Sequence, residues 1–182
     1  MTAATHVPAG SSDDGFVRSP SGVLLPAEID PFHTRLRHVA PSGLIGQTTQ
    51  TSGMKRLEAI SGKTVGAQRL WMGQTHVPAV TASANHHHGA SETAIYVVAG
   101  TPRFVFLDVD GDEPTETVIQ TAPGDYIFVP PYVPHREENI SPDAEAVVVI
   151  ARTTQEAIVV NLDGLSWSGV RMGDTGTSDS DC

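Results

Sequence analysis

The sequence predicts an all-β fold, a sandwich or barrel of short strands with an extended N-terminal arm and flexible termini. Three observations predict it. Nine short β-favouring runs follow Met54, turn residues separate most of them, and no segment in that region sustains a helical period.

Taken in order, residues 1–20 are rich in Ala, Ser, Gly and Asp without apolar periodicity and read as a flexible N-terminus. Residues 21–53 read as an extended arm, because Pro26, Pro31 and Pro41 interrupt any helix beyond a turn near Pro31–Arg37. Residues 54–165 form the barrel. Its strand candidates are Lys55–Ile60, Val65–His76, Ala79–His88, Ala94–Ala99, Arg103–Val109, Thr115–Gln120, Asp125–Val129, Ala144–Arg152 and Glu156–Leu162. Ser61-Gly62-Lys63, Gly100-Thr101-Pro102, Asp110-Gly111-Asp112, Pro123-Gly124 and Ser141-Pro142-Asp143 punctuate them. Residues 166–182 read as a flexible acidic tail. No internal repeat is long enough for a second barrel.

With 182 residues the chain can bury a core without disulfides, and its one cysteine, Cys182, can form no intramolecular disulfide. Eleven Lys and Arg stand against 21 Asp and Glu, a formal charge of −10, which disfavours nucleic acid and anionic membranes as partners. Absence of a long apolar run and of a secretory signal over Met1–Gly10 gives a cytoplasmic expectation.

Two segments carry metal-site chemistry. In His86-His87-His88, strand alternation sends the first and third imidazoles to one face and the second to the other, and Glu92 follows shortly after. In the segment from Gly124 to Asn139, a turn glycine, an apolar strand and a proline-stiffened bend present His135 at a strand rim.

Together these segments resemble the two motifs of the cupin superfamily. The first family motif runs Gly, five residues, His-x-His, three or four residues, Glu, six residues, Gly; His86, His88, Glu92 and Gly100 match its residue types, while Val80 stands where its first glycine would. The second runs Gly, five residues, Pro-x-Gly, two residues, His, three residues, Asn; Gly124, Pro130, His135 and Asn139 match, with Tyr132 in place of the middle glycine. The resemblance implies a double-stranded β-helix, or jelly-roll, barrel with one divalent metal on His86, His88, His135 and Glu92. Seven residues separate Glu92 from Gly100, one more than the family spacing, so counting back from Gly100 puts Thr93 at the ligand position. Either the backbone bulges and Glu92 binds, or the site is three histidines. The same slip decides whether Tyr96 or the pair Ile95 and Val97 faces the interior.

Such a site suits Fe(II) or Mn(II) first, and Ni, Co, Cu or Zn as well. Arg103 and Arg136 are candidate anchors for a substrate anion and Tyr96 a candidate substrate contact. Glu137, Glu138 and Asn139 are candidate acceptors for the outward ring nitrogens of the ligands. Trp71, Met72, Phe104, Phe106, Tyr126, Phe128 and Tyr132 are candidates for the pocket wall. The expected function is a metal-dependent enzyme on a small polar molecule, a dioxygenase or oxidative decarboxylase. The alternatives are an oxygen-independent isomerase, epimerase or lyase, and a non-catalytic small-ligand-binding cupin. The resemblance and the arm imply a homodimer.

Overall fold

The computed structural model describes residues 16–18, 24–26, 35–108, 111–112, 115–154, 156–165 and 170–172. The chain separates into two units, Met1–His38 and Val39–Cys182. In the first, β1 (Phe16–Arg18) and β2 (Leu24–Pro26) pair antiparallel with Val17 opposite Leu25. The rest of the flexible N-terminus expected over 1–20, and the expected tail apart from Val170–Met172, lie outside the described residues. Of the helical turn expected over Pro31–Arg37, residues 31–34 lie outside them too; residues 35–40 carry no helix, and a 3-10 turn follows at Pro41–Gly43.

The second unit opens with β3 (Lys55–Ile60) and a single helical turn, α1 (Gly62–Val65). The expected turn at Ser61-Gly62-Lys63 is therefore a capped helix start. Ser61 Oγ accepts from the backbone N–H groups of Lys63 and Thr64, Thr64 Oγ1 accepts from the Ser61 N–H, and Gly66 closes the turn at φ 75°. The long run expected from Val65 begins its strand only at β4 (Trp71–Val77). There follow β5 (Thr81–Ala82), β6 (His86–His87), β7 (Thr93–Ala99), β8 (Arg103–Asp108), β9 (Thr115–Gln120), β10 (Tyr126–Val129), β11 (His135–Asn139), β12 (Ala146–Arg152), β13 (Val160–Asn161) and β14 (Val170–Met172).

Two sheets form the barrel walls. One runs β10-β7-β12-β4-β3; the other runs β13-β6-β11-β8-β9-β14, with β5 also on β11. Pairing is antiparallel except between β14 and β9. Among the described residues this is a β-sandwich of jelly-roll type with one short helix, as the strand pattern predicted. No described helix is long and apolar enough to cross a membrane.

Period-2 alternation sets what faces inward. On β4, Trp71, Thr75 and Val77 are buried; on β12, Ala146, Val148, Ile150 and Arg152; on β7, Thr93, Ile95 and Val97. Trp71, Ile95, Val97, Phe104, Val129, Val148 and Ile150 pack as one cluster, and burial of each large apolar side chain stabilises the fold by about 1.5–3 kcal/mol. Gly100, at φ 76°, lets the β7–β8 turn cross close to β12, where a Cβ would lie 2.7 Å from Ala146 Cα.

The two motif glycines missing from the sequence leave a backbone trace. Val80 and Tyr132 both adopt left-handed conformations, φ 51° and 62°. The turn at Val80 therefore keeps the glycine-like geometry. Each residue carries local strain of about 1–3 kcal/mol, offset where its N–H is held: Val80 by Ser141 O at 3.0 Å, Tyr132 by Gly89 O at 2.8 Å. The second of these bonds ties the segment after His88 to the bend before His135.

Candidate metal centre

His86 lies on β6 and His135 starts β11, and the two stand directly opposite each other in the β6–β11 register. His88 follows two residues after His86 on the same face, and all three rings are buried. His87 points the other way, half-buried, with its ring 5.8 Å from that of Tyr132. Ring centroids are 4.5 Å apart for His86–His135, 4.8 Å for His88–His135 and 5.1 Å for His86–His88.

Each Nδ1 faces a backbone carbonyl: Ala84 O at 2.9 Å for His86, Ile158 O at 3.0 Å for His88 and Val133 O at 3.0 Å for His135. Those carbonyls accept, so each Nδ1 carries the proton and each Nε2 keeps its lone pair. One ring nitrogen from each histidine lies within 4.8 Å of the others. The Nε2 atoms of His86 and His135 are buried and have no hydrogen-bond partner among the described residues. Burial lowers all three pKa values, with neighbouring His135 contributing for His86, which falls to about 3. Three neutral, convergent imidazoles, two of them with unpartnered Nε2 lone pairs among the described residues, fit a divalent transition metal.

The acceptors that orient the rings are main-chain carbonyls, not Glu137, Glu138 or Asn139 as the sequence suggested. Asn139 is a structural clip: Nδ2 donates to Val77 O (3.0 Å), Pro78 O (3.2 Å) and Ala144 O (2.8 Å), and Oδ1 accepts from the Ser141 N–H.

Glu92 is not brought to the cluster. It is exposed and sits just before β7, its N–H donating to Thr153 Oγ1 at 3.1 Å, whereas Thr93 is fully buried. A register irregularity does occur along β7, where Ala99 pairs Val147 and Val97 pairs Val148, leaving Val98 as the extra residue. It lies beyond Val97 and leaves Thr93, Ile95 and Val97 inward, so Glu92 stays outside. The three-histidine alternative is the one the geometry forms.

The expected substrate contacts are also displaced. Tyr96 lies on the outer face with its ring 4.8 Å from Tyr126. Arg136 alternates away from His135, its guanidinium forked onto Glu116 at 2.9 and 2.6 Å and bonded to Glu138 at 2.6 Å. Arg103 bonds Glu138 at 2.5 Å. Strand alternation placed these three outside the barrel while their motif neighbours point in.

Inward positions missed in the sequence are Arg152 and Arg56; Glu137, named there only as an acceptor for the ring nitrogens, also points inward. Arg152 is buried, stacks over Trp71 with 5.7 Å from Cζ to the ring centroid, donates to Ile158 O at 2.8 Å, and brings Nη2 within 3.4 Å of His88 Nε2. Burial pulls its pKa to about 9, which leaves it charged at neutral pH. Arg56 donates to Thr49 O and Thr51 Oγ1, both at 2.8 Å. Glu137 is buried two residues after His135, and neither carboxylate oxygen has a hydrogen-bond partner among the described residues. Alternation from His135 could have found Glu137; nothing local marks Arg56 or Arg152, which look like ordinary strand arginines.

Beside the cluster lies a cavity of about 510 Å³ that includes His135 in its wall. Of the expected wall residues, Phe104, Phe106 and Phe128 line it; Trp71 belongs to the buried core, and Tyr126 and Tyr132 are largely exposed.

A jelly-roll barrel enclosing three convergent histidines defines the class: a cupin-type barrel with a candidate mononuclear metal centre. Residues 73–151 match the family model for the cupin domain. The polyketide cyclase RemF from Streptomyces resistomycificus superposes with TM-score 0.56 at 20% identity, over 72% of this chain and 88% of that one. Oxalate decarboxylase from Bacillus subtilis superposes with TM-score 0.53 at 19% identity, over 64% of this chain and 29% of that one. The chain thus spans about 30% of the length of the oxalate decarboxylase chains it resembles. That decarboxylase has Mn(II) centres. No curated relative matches the chain by sequence.

Proposed function

We propose that this protein is a mononuclear metal-dependent enzyme acting on a small molecule, a dioxygenase or oxidative decarboxylase, with Fe(II) or Mn(II) held by His86, His88 and His135. The observation that carries the reading is the set of three buried, neutral imidazoles whose Nε2 atoms converge while their Nδ1 atoms are fixed by carbonyls. When bound, such an ion supplies open coordination positions for dioxygen and a chelating substrate side by side.

The chain's own residues do the rest. The carbonyls of Ala84, Ile158 and Val133 hold the ring planes, so no reorientation is needed on binding. The apolar cavity wall excludes water from the side of His135. Arg152, charged and buried beside His88, offers a donor to negative charge on a bound ligand. The test is anaerobic mixing of iron-loaded protein with organic acids and phenols, followed by oxygen. Oxygen uptake that depends on both the acid and the ion is expected, and its absence with every compound tried would overturn the oxygenase reading.

One observation favours a second reading, an oxygen-independent isomerase, epimerase or lyase. Glu137 is a buried carboxylate near Arg56 and Arg152, with no hydrogen-bond partner among the described residues, on the same strand face as His135, the placement of a group that could take or give a substrate proton. Turnover in the absence of oxygen with zinc in place of iron, lost in Glu137→Gln, would select it.

A further inference from the structure

The cavity adjoining the cluster is walled by Phe104, Phe106, Ile119 and Val133, with His135 and the carboxylate of Asp108 as the polar side chains of its wall. At about 510 Å³ it falls within the range of small-molecule sites, and its wall offers few polar partners. A small dianion there would leave most of its hydrogen-bonding capacity unmet beside aromatic and branched side chains. An apolar group would instead exchange water for carbon contacts on several sides.

Charge lies at the histidine end. Arg152 Nη2 points at His88 Nε2 from 3.4 Å, and Arg152 Nε is buried without an acceptor among the described residues. A metal ion taking the His88 Nε2 lone pair would remove the acceptor that Nη2 now faces and put a second cation beside the guanidinium. An anionic oxygen reaching the same place satisfies both, bonding the guanidinium and neutralising the pair.

Resting on the metal-site reading above, we infer that the substrate is an organic acid with two unlike ends: a carboxylate directed at the histidines and Arg152, and an apolar body about the size of an aromatic ring seated in the cavity beside His135. This replaces the small polar substrate expected from sequence, and it sets the chain apart from a site for a compact dicarboxylate.

The inference is tested by calorimetric titration of the full-length protein loaded with Mn(II), using glyoxylate and phenylglyoxylate, which share the acid end and differ by the ring. Phenylglyoxylate is expected to bind about tenfold tighter or more, from burial of the ring. Ile119→Phe, which fills part of the cavity and touches none of the groups that hold the histidines, should erase most of that preference while metal content stays the same. Equal affinities, or tighter binding of glyoxylate, would overturn the inference. Metal content measured on the same samples separates it from the reading beneath it. Protein that holds the ion but binds neither acid sinks this inference alone; protein that holds no ion yet prefers phenylglyoxylate keeps the cavity and sinks the metal reading. If Ile119→Phe fails to fold, the comparison of the two acids on the unaltered protein decides.

Discussion

The two faces of strand β11 follow opposite rules. On the outer face Arg136 and Glu138 belong to a closed network, in which Arg136 grips Glu116 and Glu138, and Glu138 also takes Arg103. On the inner face His135 and Glu137 are more deeply buried, yet His135 Nε2 and both Glu137 oxygens face no hydrogen-bond partner among the described residues. Burying a polar group without a partner costs on the order of 1–3 kcal/mol, so stability alone favours the outer arrangement. Saturated charges on one face and open ones on the other separate what holds the sheet from what is placed to meet a ligand.

The largest expected effect comes from breaking the open face. His135→Ala removes one of three imidazoles and should weaken metal binding by roughly 100-fold or more, read by competition against a chelator, with the thermal melt confirming a folded chain.

Lowering pH attacks the same face by another route. His86, whose pKa falls from an ordinary value of about 6.5 to about 3, binds fewer protons folded than unfolded between those values. The contribution of the neutral ring to stability is thus present above the unfolded value and is lost as pH falls toward 3; His88 and His135, also lowered, act in the same direction. Urea unfolding of the metal-free protein should show stability falling steadily from pH 7 to pH 4, and a flat profile would contradict neutral buried histidines.

Breaking the closed face should instead cost stability and spare binding. Glu138→Ala leaves two arginines without their shared partner and should destabilise by about 1–3 kcal/mol, with unchanged metal content. Glu137→Gln on the opposite face breaks no hydrogen bond among the described residues but removes the negative charge near buried Arg56 and Arg152, and should destabilise by about 1–3 kcal/mol. The smallest effect is expected at the strained bend, where Val80→Gly should stabilise the fold by about 1 kcal/mol, because the Val80 side chain is mostly exposed and little packing is lost.

Most of the barrel was legible because period-2 patterns and turn residues are local signals: Lys55–Ile60 and Thr115–Gln120 form strands with the expected ends. The strand His135–Asn139 is absent from the strand candidates, since His-Arg-Glu-Glu-Asn has no β-favouring composition; its pairing with β8 and β6 decides the matter. The three histidines were legible from motif and alternation. Glu92 was left open by a spacing one residue long; the phase of β7 buries Thr93 and leaves Glu92 exposed. Arg152 was illegible because its burial depends on Trp71, Ile158 and His88, all of which reach it through tertiary packing.

The most direct test of the central claim, that three histidines without Glu92 make up the protein's ligand set, is X-ray absorption on metal-loaded wild-type and Glu92→Ala proteins. The account predicts scattering from three imidazoles in both, with superimposable spectra and equal metal content. A spectrum that loses an oxygen scatterer, or a protein that loses its metal, on Glu92→Ala would contradict it.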